Sequence, residues 1–194
     1  MQMNIQPDYK NEIEQFAFEE LERFYTGDKR VMLERFNPSR NGDEFEIVQT
    51  ENHYVIRGNT SRALLYGVYK LIEKVKGLIF LELEKERKIA IQGLTSTYEG
   101  KPKFGRRGNV FETIDDIPFL KSMLDVGTKN GLNEVFFTFF LWDEVKDALL
   151  PEIKKRGIDV TLGGHSLRYL LAKAKGVNVS GKTAADGAVN DLVG

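Results

Sequence analysis

Apolar residues recur at helical spacing in two segments of the first eighty residues. The earlier helix ends before Gly27 and carries its apolar face on Ile13, Phe16, Ala17, Leu21 and Phe24. The later helix begins after a cap at Asn59 or Thr60 and ends at Gly77, with an apolar stripe on Leu64, Val68, Leu71, Ile72 and Val75. Gly67 lies inside the later helix, where glycine costs about 1 kcal/mol relative to alanine. A close approach of this helix to a sheet would explain that cost.

Short segments with strand character surround these helices. They are Arg30–Phe36, Phe45–Gln49, His53–Arg57, Leu78–Leu83 and Lys88–Gln92. The polar stretch Thr50–Asn52 is short enough to join two of them as a hairpin. The pattern predicts an α+β domain over residues 1–95, with helices on one face of a mainly antiparallel sheet.

The pattern changes after a predicted linker over residues 96–105, which is rich in Gly, Ser, Thr and Pro. Strands and helices then alternate through Asn109–Phe111, Ile117–Thr128, Glu134–Leu141, Asp143–Lys155 and Ile158–Leu162. Because the Glu134–Leu141 run is nearly all apolar, it is typical of a parallel strand buried on both faces. Residues 106–171 are therefore predicted to open an α/β fold with a parallel sheet. Residues 172–194 are predicted to be a weakly structured tail.

Composition narrows the class of protein. The chain has 194 residues, no Cys, and 28 Lys and Arg against 29 Asp and Glu, for a net charge of −1. These values exclude a disulfide scaffold and Cys-ligated zinc, and they give no support for a nucleic-acid partner. No apolar run approaches the roughly 20 residues needed to span a bilayer. With two His far apart, we expect no metal site and no cofactor. The polar start predicts a cytoplasmic location, or secretion with a leader removed.

The segment Ile56–Glu73 carries a distinctive motif, Arg62-Ala63-Leu64-Leu65-Tyr66-Gly67. It resembles the Arg-Gly-Leu-Leu-Tyr-Gly of the small domain that precedes the barrel in several glycoside hydrolases. These include the family 20 hexosaminidases, the family 67 α-glucuronidases and related uncharacterised families. Ala63 departs from the pattern, which usually has Gly at this place.

Two later segments extend the resemblance. Phe104–Glu112 is similar to the Arg-Gly-x-x-x-Asp that opens the catalytic (β/α)8 barrel in family 20, with Glu112 at the Asp position and Asp115 where an Arg is expected. Gly163-Gly164-His165-Ser166 is similar to a segment of bacterial barrel hydrolases. The resemblance implies that residues 106–171 form the first three strands of a TIM-type barrel. A whole barrel needs about 250 residues, and the catalytic carboxylates of such enzymes follow later strands. The resemblance thus implies that this chain is an N-terminal piece of such an enzyme and is inactive alone.

Four residues are candidate carbohydrate contacts, and each has a structural alternative. His165 and Glu112 follow predicted barrel strands, where active-site loops arise; His165 would alternatively cap a helix, and Glu112 would pair with Arg106 or Arg107. Trp142 offers a ring for sugar stacking or for core packing. Arg107 would bind substrate, or it would lie at the start of the strand and hold the barrel bottom or the domain interface.

Further motifs have structural interpretations. Gly176–Thr183 fits the phosphate-binding pattern G-x4-G-K-[ST], but helical sequence precedes it and no strand follows, so a nucleotide site is disfavoured. Asn59 and Asn178 fit the glycosylation pattern, and Asn59 is better explained as a helix cap.

The sequence is compatible with three functions. The leading one is the N-terminal part of a carbohydrate-active glycoside hydrolase that binds an oligosaccharide or glycoside. A non-enzymatic module that binds carbohydrate or protein, with homo-oligomers through an exposed barrel edge, is the alternative. A nucleotide binder is third. Neither a nucleic acid nor a membrane is an expected partner.

Overall fold

A computed structural model describes residues 10–36, 42–83, 85–94, 96–164 and 174–175. Four helices are present in this part of the chain: α1 (Glu12–Phe24), α2 (Ser61–Lys76), α3 (Ile117–Lys129) and α4 (Phe139–Arg156). Its strands are β1 (Arg30–Arg35), β2 (Phe45–Gln49), β3 (His53–Gly58), β4 (Leu78–Glu82), β5 (Lys85–Lys88), β6 (Thr97–Gly100), β7 (Gly108–Phe111), β8 (Glu134–Thr138) and β9 (Asp159–Gly163). We call the part from α1 to β6 the first unit and the part from β7 to β9 the second unit.

The first unit is an α+β layer in which α1 and α2 pack on a four-stranded sheet with the order β1-β3-β2-β6. β2 is antiparallel to β3 and to β6, whereas β1 is parallel to β3. The sheet is therefore mixed. β1 and β2 lie on opposite sides of β3.

The expected close approach of α2 to the sheet is confirmed at Gly67. A Cβ at this position would lie 2.4 Å from Cγ2 of Ile56 on β3 and 3.4 Å from the ring of Phe45 on β2. The helix is capped by the hydroxyl of Thr60, which accepts from the amide of Ala63, and it ends at Gly77 with a left-handed backbone. Glycine is thus needed at position 67 for packing.

Two predictions for the first unit need correction, one of a linker and one of a strand. The segment 96–105, predicted as linker, contains β6 as the edge strand of the main sheet, held by Tyr98 stacked on Phe45 with ring centroids 6.2 Å apart. Four residues are too few for an alternating pattern to show in the sequence. The strand predicted at Lys88–Gln92 is also wrongly placed, because β5 spans Lys85–Lys88, where it pairs with β4.

The second unit confirms the predicted β-α-β-α-β order. β7, β8 and β9 form a parallel sheet in that order, and α3 and α4 connect them. Helix α3 is capped by Asp116, whose carboxylate accepts from the amide of Phe119. Helix α4 ends at Gly157 with a left-handed backbone, as the sequence predicts.

The predicted strand Glu134–Leu141 is too long, because β8 ends at Thr138 and α4 begins at Phe139. A continuous apolar run has the same appearance in a buried strand and in a buried helix. Trp142 therefore lies in the first turn of α4 rather than directly after a strand. Within the apolar run, Phe137 is fully buried, while Phe136, Phe139 and Phe140 are half-buried.

Each unit has its own apolar core. The first core lies between α1, α2 and the main sheet, and the second lies between the parallel sheet and its two helices, around Phe137 and Leu120. Among the described residues, no helix is long and apolar enough to cross a membrane.

Candidate functional site

The carboxyl ends of the three parallel strands meet at one edge of the second unit. Phe111 pairs with Phe137, and Thr138 pairs with Gly163, so the carboxyl ends of β7, β8 and β9 lie side by side. The hydroxyl of Thr138 donates to the backbone carbonyl of Glu112 at 2.9 Å, which ties the end of β8 to the segment after β7. The side chain of Glu112 is exposed at this edge.

Two glycines shape the end of β9. A Cβ at Gly163 would lie 2.7 Å from the ring of Phe136, and Gly164 has a φ of +78°, which side chains rarely adopt. A Cβ at Gly164 would also lie 3.0 Å from Cγ2 of Thr138. Glycine at both positions lets the backbone after β9 lie directly against β8. The carboxyl edge is consequently lined by backbone groups around Thr138, with Glu112 on one side.

The other predicted contacts are not all at this edge. His165 directly follows Gly164 in the sequence but lies outside the described residues. Trp142 packs against Phe137, with ring centroids 5.4 Å apart, on the helix-covered face of the sheet. The half-buried indole of Trp142 is thus part of the second core. The side chain of Glu112 is exposed at the predicted edge, whereas the indole of Trp142, in the first turn of α4 after β8, is half-buried against Phe137.

Arg107 lies at the opposite, amino edge of the sheet. Its guanidinium contacts Asp43 of the first unit at 3.1 Å and donates to the carbonyls of Gly131 at 2.8 Å and Phe104 at 2.6 Å. The neighbouring Arg106 pairs with Glu134, with Nε 2.8 Å from Oε2. Both arginines therefore have partners other than Glu112. The alternative in which Arg107 holds the sheet bottom agrees with this geometry.

A buried polar cluster joins the two units at this amino edge. We call it the joint, and it consists of Asp43 and Arg62 from the first unit and Arg107 and Asn133 from the second. Asp43 is only 1% exposed, and both of its oxygens lie 3.1 Å from Nε of Arg62. Nδ2 of Asn133 donates to the same carboxylate at 3.1 Å. Every lone pair of Asp43 is thus directed at a donor from one unit or the other.

Electrostatics keep the Asp43 carboxylate ionised. Burial alone would raise its pKa, but the charge and hydrogen bonds of Arg62, with the hydroxyl of Thr60 and the guanidinium of Arg107, outweigh burial. The pKa of Asp43 therefore lies below its usual range. An ionised carboxylate between two guanidiniums is a strong docking contact.

The motif Arg62–Gly67 supplies further contacts across the joint. Nη1 of Arg62 reaches Oδ2 of Asp159 at 3.0 Å and the carbonyl of Gly157, and the hydroxyl of Tyr66 donates to the carbonyl of Leu132 at 2.9 Å. Sequence reasoning found this motif by resemblance but assigned no role to Arg62 or Tyr66. Asp43 was missed, because no local pattern marks it.

The described residues contain no group of three or more His, Asp or Glu side chains able to hold a metal ion. No family model matches the sequence, and no curated protein matches it either.

Solved structures of glycoside hydrolases share the fold. One is a family GH138 enzyme targeting pectin rhamnogalacturonan II, with a TM-score of 0.57 and 14% identity over 93% of this chain and 27% of that chain. Another is a GH20 exo-β-N-acetylglucosaminidase from Vibrio harveyi, with a TM-score of 0.56 and 13% identity over 81% of this chain and 31% of that one. A third is a family 89 glycoside hydrolase from Clostridium perfringens, with a TM-score of 0.56 and 11% identity over 79% and 25%.

These similarities concern the fold, and they cover most of this chain. The chain spans between a quarter and a third of the length of the three enzymes. The matches come from several hydrolase families at similar TM-scores, so the fold is shared with members of these families and no single family is indicated.

Proposed function

We propose that this chain is the N-terminal part of a carbohydrate-active glycoside hydrolase. The first unit is a small supporting domain, and the second unit is the beginning of a (β/α)8 barrel whose remaining strands lie in further chain. The shared fold with glycoside hydrolases supports this proposal.

The observation that carries the proposal is the orientation of the parallel sheet. In the described part of the chain, the joint holds the first unit at the amino edge of β7, β8 and β9, opposite the carboxyl edge where Glu112 is exposed. Active sites of (β/α)8 enzymes lie at the carboxyl edge, whereas the amino edge serves stability. The carboxyl edge is therefore the one at which a saccharide would bind.

At this edge, Glu112 and His165 are the proposed substrate contacts. An exposed carboxylate accepts hydrogen bonds from sugar hydroxyls, and an imidazole either accepts or donates. Arg107 is a positioning residue in this proposal, because the joint holds it at the far edge. Trp142 supports the sheet from its helix-covered face.

Glycoside hydrolysis uses two carboxyl groups on opposite sides of the scissile bond. We propose that this pair is carried by later strands of the completed barrel. The 194 residues then bind or position substrate but do not turn it over.

An activity comparison tests this proposal. The 194-residue chain and the longer chain encoded by the same reading frame are assayed on aryl glycosides of N-acetylglucosamine, uronic acids and neutral sugars. We expect hydrolysis of one class by the longer chain and none by the shorter. Glu112→Gln in the longer chain should raise KM for that glycoside, while the exposed control Glu86→Gln in the first unit should leave it unchanged. A longer chain inactive on every class, or one indifferent to Glu112→Gln, contradicts the proposal.

A second candidate is a binding module that associates through the open face of the parallel sheet. Val110 on this face is 61% exposed, which is unusual for a valine in a strand. Sedimentation of the 194-residue chain separates the two candidates. A stable oligomer that Val110→Lys dissolves would favour the module, and a monomer would favour the unfinished barrel.

A further inference from the structure

A cleft separate from the carboxyl edge lies between the two units. It has a volume of about 440 Å³, and its walls come from α2, β4 and β6 of the first unit and from the end of α3 and the segment before β7 in the second. This volume falls within the range of small-molecule sites in proteins, about 300–1,000 Å³. The cleft therefore has room for a ligand of the size of one sugar ring.

Basic side chains from four different segments line this cleft, against one carboxylate. They are Lys70, Lys101, Arg107 and Lys129, and the carboxylate is Glu73. Lys129 is held by Asp125 at 2.6 Å and Arg107 by Asp43 at 3.1 Å, in buried pairs. Asp43 and Asp125 already offset the charges of Arg107 and Lys129, so attraction for an anionic ligand comes from Lys70 and Lys101.

Lys70 and Lys101 are the two cations that can change partner. Lys70 pairs with Glu73 one turn away on the same helix, and Lys101 pairs with Glu99 at 2.7 Å with both side chains 53% exposed. Such surface pairs contribute only about 0–1 kcal/mol. Because both lysines line the same cleft, a ligand carboxylate there can replace Glu73 or Glu99 at little cost.

The cleft wall also carries apolar side chains. Tyr98 is half-buried and stacked on Phe45, and Nζ of Lys70 lies 5.9 Å from the centroid of its ring. Pro102 and Leu81, which is 60% exposed, also line the cleft. An aromatic ring and two aliphatic side chains present a surface that suits the face of another ring. The cleft thus combines a ring-binding wall with two exchangeable cations.

We infer that this cleft is a binding site for a ring-bearing carboxylate, with Lys70 and Lys101 binding the carboxylate and Tyr98, Leu81 and Pro102 contacting the ring. A hexuronic acid supplies this chemistry as a sugar, and an aromatic acid supplies it without hydroxyl groups. The site goes beyond the proposed hydrolase function, because it is formed at the boundary of the two units and does not include the carboxyl edge.

Titration of the 194-residue chain with four probes tests the inference, by calorimetry or by amide shifts in NMR spectra at low salt. The probes are glucuronate, benzoate, glucose and acetate. We expect one or both ring carboxylates to bind at least about tenfold more tightly than glucose and acetate. Binding of glucuronate alone identifies the ligand of the cleft as a sugar acid, and binding of benzoate identifies it as a non-sugar acid. Glucose binding as well as glucuronate, or no binding of either ring carboxylate, overturns the inference.

Variants locate the binding. The double change Lys70→Gln with Lys101→Gln should weaken the bound probe about tenfold or more and reduce the salt dependence of its affinity. Lys146→Gln on α4, where Lys146 pairs with Asp143 at 3.2 Å, is the matched control and should change nothing. Glu112→Gln should also leave this affinity unchanged, so that failure here and failure of the hydrolase proposal are distinguishable. Equal affinity in the double variant and the wild type overturns the inference.

Discussion

The carboxylate of Asp43 lies 3.1 Å from the guanidinium of Arg107, although 64 residues separate them in the sequence. Asp43 precedes the second strand of the main sheet, and Arg107 precedes the first strand of the parallel sheet. Both side chains are at least 85% buried, since their exposures are 1% and 15%. This contact fixes the amino edge of the parallel sheet on the first unit, and it makes the stability of the two units interdependent.

Removing the charge of Asp43 should be strongly destabilising. Asp43→Asn keeps the shape of the side chain but leaves Arg62 and Arg107 without their buried anion. Loss of one partner from a buried ion pair typically costs about 3–5 kcal/mol. We expect a decrease of about 3 kcal/mol in the free energy of unfolding, measured by urea denaturation.

Asp143→Asn is the matched control for this change. Asp143 is 41% exposed and pairs with Lys146 on the surface of α4, where a pair contributes about 0–1 kcal/mol. Similar losses for the two variants would show that the joint is not a principal source of stability.

The low pKa of Asp43 predicts a specific dependence of stability on pH. Its folded pKa lies below the unfolded value of about 3.9. The unfolded chain therefore binds more protons, and stability rises with pH in this interval. The contribution of Asp43 is fully present above pH 4 to 5 and is lost as the pH falls through the folded pKa.

Other carboxylates, including Asp125 and Glu134, also have lowered pKa values. The test is consequently the difference between wild type and Asp43→Asn in urea unfolding from about pH 3 to pH 6. The difference in the free energy of unfolding should be largest near the upper pH limit and should decrease toward the lower pH limit. A difference that stays constant with pH would mean that the charge of Asp43 does not stabilise the fold.

Trp142 provides an optical probe of the second unit alone, since it is the only tryptophan of the chain and packs on Phe137. If the joint couples the units, tryptophan fluorescence and far-ultraviolet circular dichroism should report the same urea midpoint in the wild type. In Arg62→Met the two midpoints should separate, with the fluorescence change at lower urea. Separate midpoints already in the wild type would show that the units unfold independently.

Gly67→Ala should destabilise the protein despite the better helix propensity of alanine. The new methyl group would lie 2.4 Å from Ile56, so α2 or β3 must shift. Overpacking of this kind costs about 1–3 kcal/mol, which exceeds the gain of about 1 kcal/mol in propensity. A lower melting temperature in a calorimetric scan is the expected result.

Gly127→Ala in α3 is the corresponding control. Its methyl group would lie 3.3 Å from the end of the Leu132 side chain, which can move. The loss should therefore be smaller than at Gly67. If both changes raise the melting temperature, helix propensity rather than packing decides the outcome at these glycines.

Much of the second unit could be predicted from the sequence because its signals are local. Asp116 and Gly157 mark helix ends through their own side chain or backbone, and alternating helical and apolar segments indicate parallel strands. The start of α4 could not be predicted, since Phe139 and Phe140 look alike in a strand and in a helix. Strand β6 was missed because its pairing with β2 depends on a distant Phe45.

The candidate site was less predictable, because part of its geometry depends on features that no local sequence pattern marks. Glu112 follows a strand, and its place at the carboxyl edge follows from parallel topology. The opposite placement of Arg107 depends on Asp43, and the burial of Trp142 depends on where α4 begins. A contact between residues far apart in sequence decides the first case, and a strand-to-helix boundary that the apolar run does not mark decides the second.

The first unit precedes the parallel strands in the order of synthesis. Helix α2 presents Arg62 and Tyr66 to the carbonyls of Gly157 and Leu132, which leave the ribosome many residues later. Domains generally fold as units from the N-terminus while the rest is being made. We therefore expect α2 to be synthesised before the strands that it contacts, so that Arg62 and Tyr66 are available to orient the amino edge of the sheet as it forms.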